Sequence, residues 1–163
     1  MGNPPSLDIS DRISVSAWVY AVPLNSIIAE KHGGNSDYGW MLALNESYVS
    51  SSFEWRISTT DSDWNGGFTT PGSFIPDAWN HVVATYDGTR MRVYINGEEN
   101  LGGDFPHSLT GPIHVSTAST RIGSTYTNAS NLNGRLDDVK IFNYALTAEQ
   151  VKTLYNNSSA VSF

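Results

Sequence analysis

The stretch Trp79–Asn100, WNHVVATYDGTRMRVYINGEEN, decides the fold. Two apolar runs flank Asp87-Gly88, and the second run ends at Asn96-Gly97. Asp-Gly and Asn-Gly are strong hairpin signals, because a two-residue type I′ turn needs positive φ at both central residues. Within RMRVYI, Met91, Val93 and Ile95 share one face while Arg90, Arg92 and Tyr94 share the other. That alternation describes an antiparallel sheet with one buried and one wet face.

Working outward, the same period of two recurs. ISVSAWVYA sets Ile13, Val15, Ala17 and Val19 against Ser14, Ser16, Trp18 and Tyr20. SIIAEKHGGNSDYGWMLAL reads as two strands around a Gly-Gly-Asn loop, and FEWRIST opposes Phe53, Trp55 and Ile57 to Glu54, Arg56 and Ser58. A helix is expected near the end. In LTAEQVKTLYN, Thr147 is placed to cap and Gln150 to complete a capping box, with Val151, Leu154 and Tyr155 as the apolar stripe. Many strands, glycine-rich turns and one terminal helix predict an all-β fold, an antiparallel β-sandwich over residues 1–156, with 157–163 as a tail or linker.

Composition narrows the function. Nine Lys and Arg against sixteen Asp and Glu give a net charge of −7, which argues against nucleic acid, since phosphates call for a basic surface. An acidic surface also repels anionic membranes, and no apolar run reaches the roughly 20 residues that span a bilayer. There is no cysteine, hence no disulfide and no thiolate chemistry. Triplets such as Asn45-Glu46-Ser47 match the glycosylation pattern, as chance allows in a chain rich in Asn and Ser.

Trp79-Asn80-His81-Val82, Tyr86-Asp87-Gly88, Tyr94-Ile95-Asn96-Gly97 and the ending Gly134-x-Leu136-Asp137-Asp138-Val139 occur together and in order. In this the chain resembles the laminin-G-like domains of the concanavalin A-like lectin/glucanase superfamily. The resemblance implies a jelly roll of two curved antiparallel sheets, with Trp18 and Trp79 as core residues. It also implies a strand before Leu7 that this sequence does not hold in full, and a structural calcium near that strand for which Asp137 is a candidate ligand.

The segment TTDSDWNGGF, Thr59–Phe68, carries the most chemistry. Its D-x-D-x-N-G spacing is how a calcium loop begins, with Asp61, Asp63 and Asn65 as oxygen ligands and Gly66 for the sharp turn. The twelfth position is Gly72 where a bidentate Glu belongs, which excludes a helix-flanked calcium loop. A plain Asp/Asn/Gly turn reads the same. Trp64, set among polar residues and glycines, is also what a sugar-binding surface offers, since the apolar face of a sugar ring stacks on an indole. Tyr38, Trp40, Glu54, Arg56 and His32 are the further candidates for such a surface. Against each stands a bland alternative: Tyr38 and Trp40 as core, Glu54 and Arg56 as a solvated face, His32 as a solvated loop residue.

Catalysis is not expected. The superfamily includes glucanases, but retaining glycosidases need two carboxylates about 5 Å apart, and no Glu here begins the glucanase pattern E-x-D-x-x-E. His81 and Tyr86 resemble the pair used by lyases of this fold, yet they belong to the structural WNHVVATYDG stretch, and the one Gln, Gln150, lies on the helix. Two functions remain. The first is a non-catalytic carbohydrate-binding module, extracellular or at a cell surface, monomeric and linked to other domains of a polysaccharide-active protein, with a neutral glycan as partner. The second is an adhesion or structural module that binds a protein.

Overall fold

The hairpin forms, and its two turns differ. In the computed structural model, which describes residues 4–22, 25–34, 36–45, 51–60 and 62–157 but not the side chains of Ser62 and Asp63, strand β6 (Asn80–Tyr86) pairs antiparallel with β7 (Arg90–Ile95). Asn96 and Gly97 both take positive φ, 51° and 85°, before the short β8 (Glu98–Glu99), as a two-residue hairpin turn requires. At the other turn only Gly88 is left-handed (φ 94°). There the loop has three residues, and the Asp87 carboxylate holds it by accepting from the Thr89 and Arg90 amides at 2.9 and 2.8 Å.

The remaining strands are β1 (Ile13–Ala21), β2 (Ser26–Lys31), β3 (Trp40–Asn45), β4 (Ser52–Thr59), β5 (Ser62–Phe68), β9 (His107–Ser108), β10 (Arg121–Ile122) and β11 (Gly134–Phe142); helix α1 spans Ala148–Asn157. One sheet runs β11-β1-β6-β7-β8, with β9 also paired to β7, and the other runs β10-β2-β3-β4-β5. All pairings are antiparallel. The core lies between the sheets. It takes Ile13, Val15, Ala17, Val19 and Ala21 from β1, Met91 and Val93 from β7, and Trp40, Leu42, Phe53, Trp55 and Ile57 from the smaller sheet. The alternations in the sequence therefore point as expected, and the fold is an antiparallel sandwich with one short C-terminal helix.

The outer face of the larger sheet is not wet throughout. Tyr94 is buried, clustered with Val83, Leu146 and Val151 beneath α1. Thr147 caps the helix through its hydroxyl, which accepts from the Gln150 amide at 3.3 Å, while the Gln150 side chain accepts from the Thr147 amide at 2.9 Å. Val151 is fully buried, Leu154 packs against the same cluster, and Tyr155 stacks on Trp18 at 5.6 Å. Trp18 is thus buried, but under the helix and not between the sheets. Trp79 departs further from its expected core role: it is half-buried, edge-on to Tyr20 at 5.8 Å.

Strand β5 is an edge, and a loop covers it. The Asp104 carboxylate accepts from the Phe68 amide at 2.8 Å, the Asp104 amide donates to the Phe68 carbonyl at 2.9 Å, and the Asn100 side chain takes the Thr70 amide at 3.2 Å.

Two outcomes are expected from this packing. Val151→Ala, which empties the helix's one fully buried position, should cost on the order of 2 kcal/mol in urea unfolding, whereas Thr153→Ala on the exposed face should cost little. The second concerns His81, buried against Trp18 and Tyr155 with its Nε2 3.1 Å from the Ser16 hydroxyl. Burial, then the Lys140 charge, pushes its pKa from 6.5 down to about 4. The unfolded chain therefore takes up this proton first as the pH falls, so stability drops between pH 6.5 and about 4. His81→Phe should flatten that part of a melting-temperature profile. At lower pH the loss passes to Asp87, where burial raises the carboxyl but hydrogen bonds from Arg92 and Thr89 outweigh it and hold the pKa near 2.

Candidate functional site: an aromatic cluster on the outer face of the smaller sheet

Within the TTDSDWNGGF segment, Ser62–Phe68 is a strand, not a loop. In the β4–β5 pair, Ile57 faces Asn65 and Thr59 faces Ser62, so Asp63 and Trp64 together oppose the single Ser58. This is a β-bulge, and Trp64 within it has φ 50°, uncommon for a bulky side chain. Bulges re-aim side chains at sheet edges. Here the indole is turned onto His32, with ring centres 4.7 Å apart, and onto Tyr38, at 5.2 Å. His32 in turn lies 5.2 Å from Tyr38 and 4.8 Å from Tyr126, the last edge-on. Trp64, Tyr38 and His32 are half-buried and Tyr126 is exposed, so the cluster reaches solvent.

Each ring is positioned by its surroundings. Past the end of β2, the chain turns at Gly34, whose φ of 71° suits glycine and where the Tyr126 hydroxyl lies 2.6 Å from the place a Cβ would take. The turn is tied by Asp37, which accepts from the Thr117 amide and hydroxyl at 3.0 and 2.9 Å. Burial would raise the Asp37 carboxyl, but these hydrogen bonds outweigh it and hold its pKa below the usual range. The Tyr38 carbonyl accepts from His114 Nδ1 at 2.6 Å, and the neighbouring Gly39 carbonyl accepts from the Ser58 amide at 2.8 Å.

Beneath the rings runs one row of the sheet: Arg121 on β10, Glu30 on β2, Met41 on β3 and Arg56 on β4 stand opposite one another in register. The adjacent row, Ala29, Leu42 and Trp55, belongs to the core, so this one faces outward. Glu54 and Arg56 form an ion pair. Glu54 also accepts from Asn45 at 3.3 Å, and Arg56 reaches the Trp64 carbonyl at 3.5 Å and lies over the Phe68 ring. Glu30 is 1 % exposed, with Oε2 3.9 Å from His32 Nδ1; its Oε1 and His32 Nε2 are both buried without a hydrogen-bond partner.

The structure thus brings Trp64, Tyr38 and His32 together, with Arg56 and Glu54 as their underpinning. Trp40 is the correction: it is 1 % exposed and packs against Trp55 in the core, because it opens strand β3 on the inward face, while Tyr38 precedes the strand and escapes its alternation. His32 is no solvated loop residue. Tyr126, Glu30 and Arg121 went unselected. Tyr126 carries the same signal as Trp64, an aromatic ring in a Ser/Thr/Asn-rich stretch, GSTYTNASN. Glu30 could have been found as the single acid inside the apolar run SIIAEK.

The calcium candidates belong to two separate places, and the first lies mostly outside the described residues. Asp61 and the side chain of Asp63 lie outside the described residues, and Asn65 stands in β5 opposite Ile57. Asp137 is exposed on β11 of the other sheet, where it accepts from the Asp138 amide at 2.8 Å. Among the described residues no three His, Asp or Glu side chains group as metal ligands would.

Known proteins share this architecture. A curated relative, the adhesion G-protein coupled receptor V1 of Danio rerio, is 27% identical over 149 residues, which is 89% of this chain and 2% of the receptor. The chain thus spans a small fraction of that relative. The binding domain of botulinum neurotoxin serotype G superposes with a TM-score of 0.71 at 16% identity, over 98% of this chain and 40% of the toxin domain. Domain 4 of AbnA, an extracellular GH43 arabinanase from Geobacillus stearothermophilus solved in complex with arabinotriose, superposes with a TM-score of 0.63 at 23% identity, over 91% of this chain and 68% of that one. A laminin-G family model matches residues 2–152, and the chain belongs to that family, within the concanavalin A-like lectin/glucanases superfamily.

Proposed function

We propose that this chain is a non-catalytic carbohydrate-binding module of a larger extracellular or surface protein, and that it holds a neutral glycan on the outer face of the smaller sheet. The observation that carries this reading is the half-exposed cluster of Trp64, His32, Tyr38 and Tyr126, held together by a strained bulge. Hydrophobic burial alone has no use for Trp64 in a left-handed conformation, and such strain concentrates where a side chain must be presented. An aromatic wall above a few placed polar groups is the chemistry of a sugar site. The arabinanase domain solved with arabinotriose supports the same reading. As a tethered module it would act by raising the local concentration of its partner domains on the polysaccharide.

Adhesion through a protein partner is the second reading, favoured by the 27% identity to an adhesion receptor. Affinity electrophoresis through gels containing arabinan, xylan, galactan or laminarin separates the two. Retardation by at least one neutral glycan is expected. Trp64→Ala should weaken it at least tenfold while shifting the melting temperature little, since the indole lies outside the core. Unretarded migration in every gel would favour the protein partner, and a collapse in stability on substitution would make Trp64 structural.

A further inference from the structure

Glu30 is harder to explain by folding than any other charged residue of the cluster. It stands on the outward face of β2, is 1 % exposed, and has no hydrogen-bond partner for Oε1. A buried acceptor left unpaired is costly, and such groups usually persist for a functional reason. His32 Nε2, in the ring directly above, is likewise buried and unpartnered. In the tautomer that keeps its proton on Nδ1, on the side facing Glu30 at 3.9 Å, Nε2 is an acceptor. Two acceptors beneath an aromatic wall call for two donors close together.

We infer that Glu30 and His32 form the polar floor of the binding site and select an uncharged sugar that presents a pair of adjacent hydroxyls. The inference rests on the glycan-binding reading and names the ligand class of that site. A hydroxyl pair donates to Glu30 Oε1 and His32 Nε2 together, while the ring's apolar face lies on Trp64. An anionic sugar supplies no such donors at its carboxylate or sulfate. The two guanidinium groups of the row are engaged with internal acceptors: Arg56 with Glu54 and the Trp64 carbonyl, Arg121 with the carbonyls of His32 and Ser119 at 3.4 and 3.2 Å. Neither is poised to receive an anion.

The test sets wild type, Glu30→Gln, Glu30→Met and Trp64→Ala against the four neutral glycans and against alginate and polygalacturonate. Wild type should be retarded by a neutral glycan and not by the anionic pair. Both Glu30 variants should lose at least tenfold in affinity, and Glu30→Met should melt no lower than wild type and up to about 4 °C higher, because it removes a buried acceptor that has no hydrogen-bond partner. Retardation that depends on Trp64 but survives both Glu30 substitutions would overturn this inference alone, leaving the glycan module standing with a fixed water on Glu30. Preference for the anionic glycans would overturn it too, as would a lowered melting temperature in both Glu30 variants, which would make the residue structural. Wild type unretarded by any glycan would remove the module reading itself, and the floor with it.

Discussion

The indole of Trp55 joins the two halves of the sandwich. It is fully buried among residues of both sheets, and its N–H donates across the core to the Thr85 carbonyl on β6 at 3.3 Å. That bond pins β4 in rotation as well as in position. With Trp55 inward, the pleat obliges Glu54 and Arg56 outward, and with them the row that includes Met41 and Glu30. The outward row beneath the aromatic cluster is thus a consequence of how the core is closed.

A sheet face that carries charge while lying largely out of solvent has to compensate it. Glu54 does so by pairing with Arg56 and Asn45, the arrangement under which buried ions are tolerated. Arg56 then transmits this to the bulge through the Trp64 carbonyl. The larger sheet solves the corresponding problem differently. Its outer face is closed by α1 at Tyr94, Val83 and Trp18, and the histidine trapped there is kept neutral. One outer face is sealed by apolar packing under the helix, while the other carries paired charges beneath a partly exposed aromatic cluster.

Much of the fold was legible because period two is strict wherever one face is buried. Ile13 to Ala21 and Met91 to Ile95 declared their inward residues outright, and Thr147 with Gln150 declared the helix start. The failures have physical causes. Trp40 and Tyr38 were candidates alike, but the strand starts between them, and alternation says nothing about a residue outside it. Asp, Asn and Gly in Thr59–Phe68 mimicked a loop because bulges recruit the same positive-φ residues as turns. Tyr126 meets His32 only through a loop 94 positions later in the chain, a distance no local pattern reports.

The carboxylate of Asp104 on the Phe68 amide has a consequence beyond holding its loop. Strand β5, which carries Trp64, is an edge strand, and open edges are templates on which other chains add strands and aggregate. Capping that edge with a side chain, where a neighbouring backbone would otherwise dock, lets copies of the domain stand close together in solution without zipping into a shared sheet.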